Sequence, residues 1–125
     1  MAYTINAAVN AAGLNGITAL FNGGKVVLSS SAPAVLAEPT FGATAFGAAT
    51  SATPAVASAN ALTADTTVTA GTITAIDFQT SANASRISGS VGVGSGDFQV
   101  STNVIPGGTT SVNLVGLQFT LAITG

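Results

Sequence analysis

Only six side chains in this 125-residue sequence carry a formal charge, and acid–base, metal or ionic chemistry would have to be built from them. They are Lys25, Arg86, Glu38, Asp65, Asp77 and Asp97. The chain has no histidine and no cysteine. Serine and threonine are abundant, but they have no histidine base to activate them as nucleophiles. The same absence argues against a zinc site, which relies on histidine or cysteine ligands.

The four carboxylates are the remaining candidates for catalysis. A glycoside hydrolase needs two of them facing each other across the scissile bond. Here they are dispersed, and no spacing brings two together, so we expect them to cap turns or to pair with Lys25 and Arg86. Calcium bound by Asp97 or Asp65 with loop carbonyls is a weaker alternative, because only one acid lies in each loop. The sequence predicts no enzymatic activity and no cofactor.

A glycine-rich stretch, Ser90 to Asp97, resembles a dinucleotide-binding loop only superficially. Its glycines are spaced G-x-G-x-G, Asp97 stands where a further glycine is needed, and strand-like residues follow in place of a helix. The pattern predicts a glycine-rich hairpin in which Asp97 bonds to nearby backbone amides. Arg86 precedes this stretch on the polar face of its strand. There it is either solvated, with Asp77 as a partner across a hairpin, or an anchor at a subunit interface.

Alternation of apolar and polar residues predicts that most of the chain is β-structure. It is clearest at Leu117–Ile123 and Ile87–Val93, and Pro106–Thr109 has the composition of a tight turn. Further strands are predicted at Lys25–Ser29, Val35–Glu38, Asp65–Thr69, Gly71–Phe78 and around Phe98 and Val100. The Ala/Ser/Thr-rich stretch 48–61 is either an extended loop or a strand of very small side chains. Seven to nine short strands predict an all-β fold, an antiparallel β-sandwich or jelly-roll-like domain over residues 25–125.

Residues 1–24 form a predicted N-terminal helix or arm. Asn6 is a suitable N-cap, and Gly23-Gly24 ends the pattern. The apolar stripe predicted for this helix consists of Val9, Gly13, Ile17, Leu20 and Phe21. Two interpretations stay open, a helix that covers an open edge or face of the sandwich and an arm that reaches a neighbouring subunit. Deletion of residues 1–22 should leave the fold intact under the arm interpretation.

The charged fraction of 5% limits the partners of the protein, since ordinary soluble domains have roughly 25%. Two cations cannot neutralise a run of phosphates or an anionic membrane surface, so we expect neither nucleic acid nor membrane as a partner. The longest apolar run, Leu114 to Ile123, is too short to span a bilayer. A surface of Ser, Thr, Asn, Gly and Ala costs little to desolvate, which favours a protein packed against copies of itself or a larger assembly. The alternative is a robust extracellular β-protein with an uncharged coat.

Several segments, in the same order over nearly the whole chain, resemble a family of small structural proteins of tailed bacteriophages. The matching pieces are Asn22-Gly23-Gly24-Lys25-Val26, Ala32-Pro33-Ala34, Leu36-Ala37-Glu38, Phe41, Ala45-Phe46-Gly47-Ala48-Ala49, Asp65-Thr66, Gly71-Thr72, the Gly89 to Asp97 hairpin, and Gly107-Gly108-Thr109-Thr110-Ser111-Val112. The sequence departs from the family's pattern where an aromatic residue commonly follows the Lys-containing strand and near Ile73 to Ile76. Both departures concern packing.

This resemblance implies a virion protein, made in the host cytoplasm and located on the exterior of the phage head. The expected role is that of a capsid decoration (cement) protein, a homotrimer bound to the major capsid protein lattice, which it stabilises. A tail, baseplate or fibre-associated β-domain is the alternative. A carbohydrate-binding module is disfavoured, because Tyr3 is the only aromatic besides phenylalanine. The residues assigned to partner contacts are Val9, Ile17, Phe21, Lys25, Phe41, Phe46 and Arg86.

Overall fold

The structure, a computed structural model, describes residues 6–121, which form one helix and nine short strands. The elements are α1 Ala7–Ala19, β1 Lys25–Ser29, β2 Val35–Ala37, β3 Ala55–Ser58, β4 Gly71–Thr72, β5 Ala75–Gln79, β6 Ser85–Gly92, β7 Phe98–Gln99, β8 Val104–Ile105 and β9 Gln118–Leu121. The protein is therefore mainly β, with several antiparallel sheets and one short helix.

The largest sheet has five strands in the order β2-β1-β5-β6-β7. Its strands pair antiparallel except for β6 and β7, which are parallel. Phe78 of β5 lies between Val26 of β1 and Ile87 of β6. These three side chains, together with that of Ile76 two residues earlier in β5, lie on the sheet face that is turned toward the core. The predicted alternation in β6 is confirmed, because Arg86, Ser88 and Ser90 are exposed on the other face.

Two smaller pairs of strands, β3 with β9 and β4 with β8, complete the described β-structure. Strand β3 confirms that the Ala/Ser/Thr-rich stretch contains a strand of small side chains. The edge of β3 that does not pair with β9 is covered by the preceding loop. There the N–H groups of Thr50 and Gly47 donate to the carbonyls of Val56 and Ser58, each at 2.9 Å. The other edge of this pair belongs to β9.

The core is organised around phenylalanine. The ring of Phe78 lies 5.9 Å from that of Phe21, 5.1 Å from Phe98 and 5.0 Å from Phe119, measured between centroids. Phe41 and Phe46 extend the same cluster, so that it contains all six phenylalanines of the chain. Since Phe78 belongs to the five-stranded sheet and Phe119 to β9, aromatic contacts join the two sheets.

Helix α1 begins as predicted but buries a different face. The Asn6 side chain accepts a hydrogen bond from the Val9 N–H at 3.1 Å. The predicted apolar stripe is wrong, because Val9 is 46% exposed and Leu20 47% exposed. The helix buries Asn10, Ala11, Leu14 and Thr18, and Phe21 follows directly after it in the core. A pattern search for apolar residues misses this face because two of its members are polar.

The buried Asn10 explains how a polar side chain is accommodated on that face. It is 0% exposed, and its Nδ2 donates to Thr53 Oγ1 at 3.0 Å. The helix packs against β3 and β9 and contributes Leu14 and Phe21 to the core, which corresponds to the covering helix and not to a projecting arm. Deletion of residues 1–22 would therefore remove part of the core, contrary to the expectation that the fold survives. Residues 1–5 and 122–125 lie outside the described residues.

Two predictions about strands are wrong. Residues 65–69 form no strand; Asp65 makes one isolated bridge with Val112, and its carboxylate accepts from the N–H groups of Glu38 and Thr67 at 2.7 and 2.9 Å. The glycine-rich segment after Ser90 is not a hairpin, since β7 runs parallel to β6. Repeated glycines allow the chain to turn through a complete loop there, with positive φ at Gly94 and Gly96.

Candidate functional site

Five of the six charged side chains are engaged inside the chain. Lys25 Nζ and Glu38 Oε1 form an ion pair at 3.0 Å, the one salt bridge within residues 6–121. The Asp65 carboxylate is held by the two backbone N–H groups described above. Asp77 accepts hydrogen bonds from Gln79 Nε2 at 2.8 Å and from the Ser85 hydroxyl. These contacts leave little charge with which to attract a partner.

The Asp97 carboxylate closes the loop between β6 and β7. Its Oδ2 accepts from the Ser90 N–H at 3.0 Å and from the Ser90 hydroxyl at 3.2 Å, while that hydroxyl accepts from the Asp97 N–H at 3.0 Å. The prediction that Asp97 bonds to nearby backbone amides is confirmed. The absence of a side chain at Gly89 makes this possible, because a Cβ there would lie 2.9 Å from Asp97 Cβ. Within residues 6–121, no group of three acidic residues is placed to hold a metal ion.

Arg86 is the charged residue that remains available at the surface. It is exposed on β6, and its guanidinium donates to the Ser85 carbonyl at 3.4 Å. The anticipated pairing of Arg86 with Asp77 does not form in the described part of the chain, because Asp77 is bound by Gln79 and Ser85. Arg86 therefore stays on the solvated strand face.

The residues assigned to partner contacts do not form one surface. Phe21, Phe41 and Phe46 are 0%, 5% and 6% exposed, so as core residues they cannot offer their rings to another protein. Their aromatic character has a structural explanation in the phenylalanine cluster. Of the remaining four, Ile17 packs partly against the core and Lys25 is ion-paired, whereas Val9 and Arg86 are exposed.

An open groove between β7 and β9 is the feature that sequence reasoning missed. We call it the β7–β9 groove; its sides are residues 97–100 and 116–120, and Ile76 lies at its floor. Its volume is about 470 Å³, and a second cavity of about 460 Å³ adjoins it beneath residues 100–115. Leu114 and Val115 line both spaces. Both spaces are open to solvent at the surface of the chain.

Among residues 6–121, both sides of the β7–β9 groove are strand edges without a pairing strand. The Val100 N–H donates to the Gly92 carbonyl at 3.0 Å, so in β7 the backbone of Gln99 points away from β6. The Ala59 N–H donates to the Leu117 carbonyl at 2.8 Å, so in β9 the backbones of Gln118 and Thr120 point away from β3. Within residues 6–121, no strand pairs with either of these edges.

The sequence contains no direct signal for this groove. Its hydrogen-bonding groups belong to the backbone, and every non-proline residue has the same ones. The side chain of Val115, which lines the groove, is 91% exposed, and this becomes visible only when burial is known. What the groove can do chemically is bind an extended polypeptide through main-chain hydrogen bonds, with apolar side chains directed to its floor.

Comparisons with protein-family models, with curated proteins and with solved structures found no match to this chain. Among residues 6–121, no helix has the length and the apolar character that crossing a membrane requires.

Proposed function

We propose that the protein is a structural virion protein, a capsid decoration protein that binds the outer surface of a phage head and stabilises it. The observation that carries the proposal is that most charged side chains of the protein bind other groups of the same chain. Five of the six charged side chains are ion-paired or hydrogen-bonded to other side chains or to backbone N–H groups, and Arg86 has no ion-pair partner within residues 6–121. The family resemblance of the sequence supports the same assignment.

A surface of this kind suits permanent contact with other protein. Removing a charge from water costs several kcal/mol, whereas exposed amide and hydroxyl groups can exchange water for protein partners at much lower cost. A subunit that bridges neighbouring capsid proteins stabilises the state that it binds by mass action. Closed symmetry, three-fold in our proposal, would let a small subunit span several capsid proteins.

We further propose that the sheets form a two-layer sandwich of the jelly-roll type. Support comes from Phe78 and Phe119, which lie on different sheets with ring centroids 5.0 Å apart. The order of the five-stranded sheet also places non-consecutive strands side by side, as β1 and β5 are neighbours. An experimental structure of the oligomer tests this assignment.

The test of function is co-sedimentation of the purified protein with stripped heads and with isolated tails of the parent phage. Saturable binding to heads, at a copy number that matches the capsid lattice, is the expected result. The matched control is the same protein after unfolding and dilution, which measures nonspecific pelleting. Binding to tails alone, at low copy number, would reject the decoration role.

Binding to tails alone would favour the second candidate function, that of a tail, baseplate or fibre-associated structural β-domain. The charge-poor surface suits this location equally well, because it describes how the subunit contacts protein and not where the particle places it. Copy number separates the two candidates, since a tail tip holds far fewer subunits than a head surface.

A further inference from the structure

We propose that one end of the five-stranded sheet is the surface by which the protein contacts the capsid lattice. We call it the valine end, because it carries Val35, Val93 and Val104, each of which is more than half exposed. The inference deepens the proposed function and rests on it, since the capsid lattice is the partner in that proposal. It concerns which part of the subunit faces the head.

The strand register places the three valines at the same end of the sheet. Val35 begins β2 and pairs with Ser29, the last residue of β1, which also pairs with Ala75, the first residue of β5. Val93 comes directly after the last residue of β6, and β6 runs antiparallel to β5. Val104 of β8 pairs with β4, which precedes β5 in the chain. The valines therefore come from three separate segments that meet where β5 begins.

Five of the six charged side chains lie toward the opposite end of the sheet. Lys25 begins β1 and Arg86 is near the start of β6, so both cations are at that end. Glu38 is paired with Lys25, and the Asp65 carboxylate accepts from the Glu38 N–H. The Asp77 carboxylate is bound by the side chains of the two residues that flank the loop between β5 and β6. A contact made through the valine end therefore does not remove these charges from water.

The segments that carry the valines are ordered by hydrogen bonds within the subunit. In the loop before β2, the Ser30 N–H donates to the Ala34 carbonyl at 2.9 Å. Directly before β8, Asn103 Nδ2 donates to the Ile73 carbonyl at 3.2 Å, and the Ile73 N–H donates to the Asn103 carbonyl at 2.7 Å. The sixth charged residue, Asp97, closes the third loop through the hydrogen bonds described above. Ordered loops lose little conformational entropy when a partner binds.

The composition of these segments matches a protein surface as the partner. Residues 30–35, 93–96 and 101–104 contain no charged and no aromatic side chain. Membrane-binding surfaces rely on tryptophan and tyrosine or on lysine and arginine, so a lipid bilayer is a poor match. Exposed aliphatic side chains among small uncharged residues resemble the centre of a protein–protein interface, where charged residues are depleted. We therefore expect the capsid surface that receives the valine end to be poor in charge as well.

Two substitutions that add the same carboxylate compare the valine end with the opposite end. Val93→Asp places it in the loop after β6, and Ala82→Asp places it in the exposed loop between β5 and β6. Co-sedimentation with stripped heads over a range of protein concentrations gives the dissociation constants. We expect Val93→Asp to raise the dissociation constant about 30-fold or more, because a carboxylate inside an interface loses its water. Ala82→Asp should change it less than about threefold, since the charge stays in solvent.

Two further measurements accompany the binding assay. Far-UV circular dichroism verifies the fold of each variant, and sedimentation equilibrium measures its self-association. Val35→Asp repeats the test on a second segment of the valine end, and it replaces Val93→Asp if that variant fails to fold. Flotation with phosphatidylcholine vesicles measures lipid binding of the unsubstituted protein and of Val93→Asp.

The outcomes separate this inference from the proposed function. If heads bind the unsubstituted protein and Val93→Asp equally well, the assignment of the valine end is overturned and the decoration role stands. If heads do not bind the unsubstituted protein, both are rejected. Self-association weakened by Val93→Asp as strongly as head binding would assign the valine end to contacts between copies. Vesicle binding that Val93→Asp abolishes would assign it to lipid, and either result overturns the inference.

Discussion

The replacement Phe21→Ala tests whether the segment around α1 belongs to the core of the subunit. Phe21 is 0% exposed, and its ring centroid lies 6.1 Å from Phe41, 5.9 Å from Phe78 and 6.0 Å from Phe119. Removing the ring deletes its buried area and leaves a cavity among the three neighbours. Losses of this type cost about 4 kcal/mol of unfolding free energy.

That magnitude is a large part of the total stability of a domain, roughly 5–15 kcal/mol. The neighbouring Leu20 provides a matched control, since it lies next in the chain but is 47% exposed. Leu20→Ala should cost about 1 kcal/mol. In urea, with a slope of about 2 kcal/mol per M, Phe21→Ala should lower the midpoint by about 2 M and Leu20→Ala by about 0.5 M.

Equilibrium unfolding followed by far-UV circular dichroism measures both midpoints. The sample must be monomeric at the concentration used, so that association does not contribute to the unfolding free energy. Equal midpoints for the two variants would contradict the placement of Phe21 in the core. A Phe21→Ala variant with unchanged stability but weaker self-association would restore the interpretation of this segment as an arm.

Three further predictions follow from individual contacts. Gly89→Val should lower the free energy of unfolding by about 2 kcal/mol, since the added Cβ would lie 2.9 Å from Asp97 Cβ. Gly42→Ala should be nearly neutral, because no atom lies within 4 Å of the added Cβ. Thermal unfolding measures the stability of both variants. Asn10→Ala should cost about 2 kcal/mol because Asn10 is fully buried. The same change at the exposed Asn15, whose Oδ1 accepts from the Ala49 N–H at 2.8 Å, should cost about 1 kcal/mol, as measured by urea unfolding. Raising sodium chloride from about 0.1 to about 1 M should change the self-association constant less than about threefold, because screening acts on charges and few are free; a steep salt dependence would refute this.

Strands with regular alternation were predictable from the sequence. β9 shows the expected pattern within the described residues, with Phe119 buried between the exposed Gln118 and Thr120. β5 likewise buries Ile76 and Phe78 in alternation with half-buried residues. β1 buries three consecutive residues, Val26, Val27 and Leu28, and its β-branched composition, not alternation, predicted the strand. In these segments local propensity and burial agree, so the two-residue period identifies both the strand and its core face.

The missed features depend on contacts between distant parts of the chain. The buried face of α1 includes Asn10, whose burial depends on Thr53 as a hydrogen-bond partner. The parallel pairing of β6 with β7 depends on how the glycine loop closes around Asp97. The β7–β9 groove is a property of strand edges, which contain the same backbone groups as paired strands. No periodicity in the sequence encodes these three features.

Asparagine side chains hold several loops of this protein in place. Asn22 Oδ1 accepts from the Ala45 N–H at 2.9 Å, and Asn113 Nδ2 donates to the Leu62 carbonyl at 3.0 Å. Asn103 Nδ2 similarly bonds the Ile73 carbonyl at 3.2 Å. A neutral amide offers both a donor and an acceptor and keeps them when the acidity of the solution changes. These loop attachments should therefore tolerate wide swings of acidity, a robustness that loops fastened by ion pairs do not have.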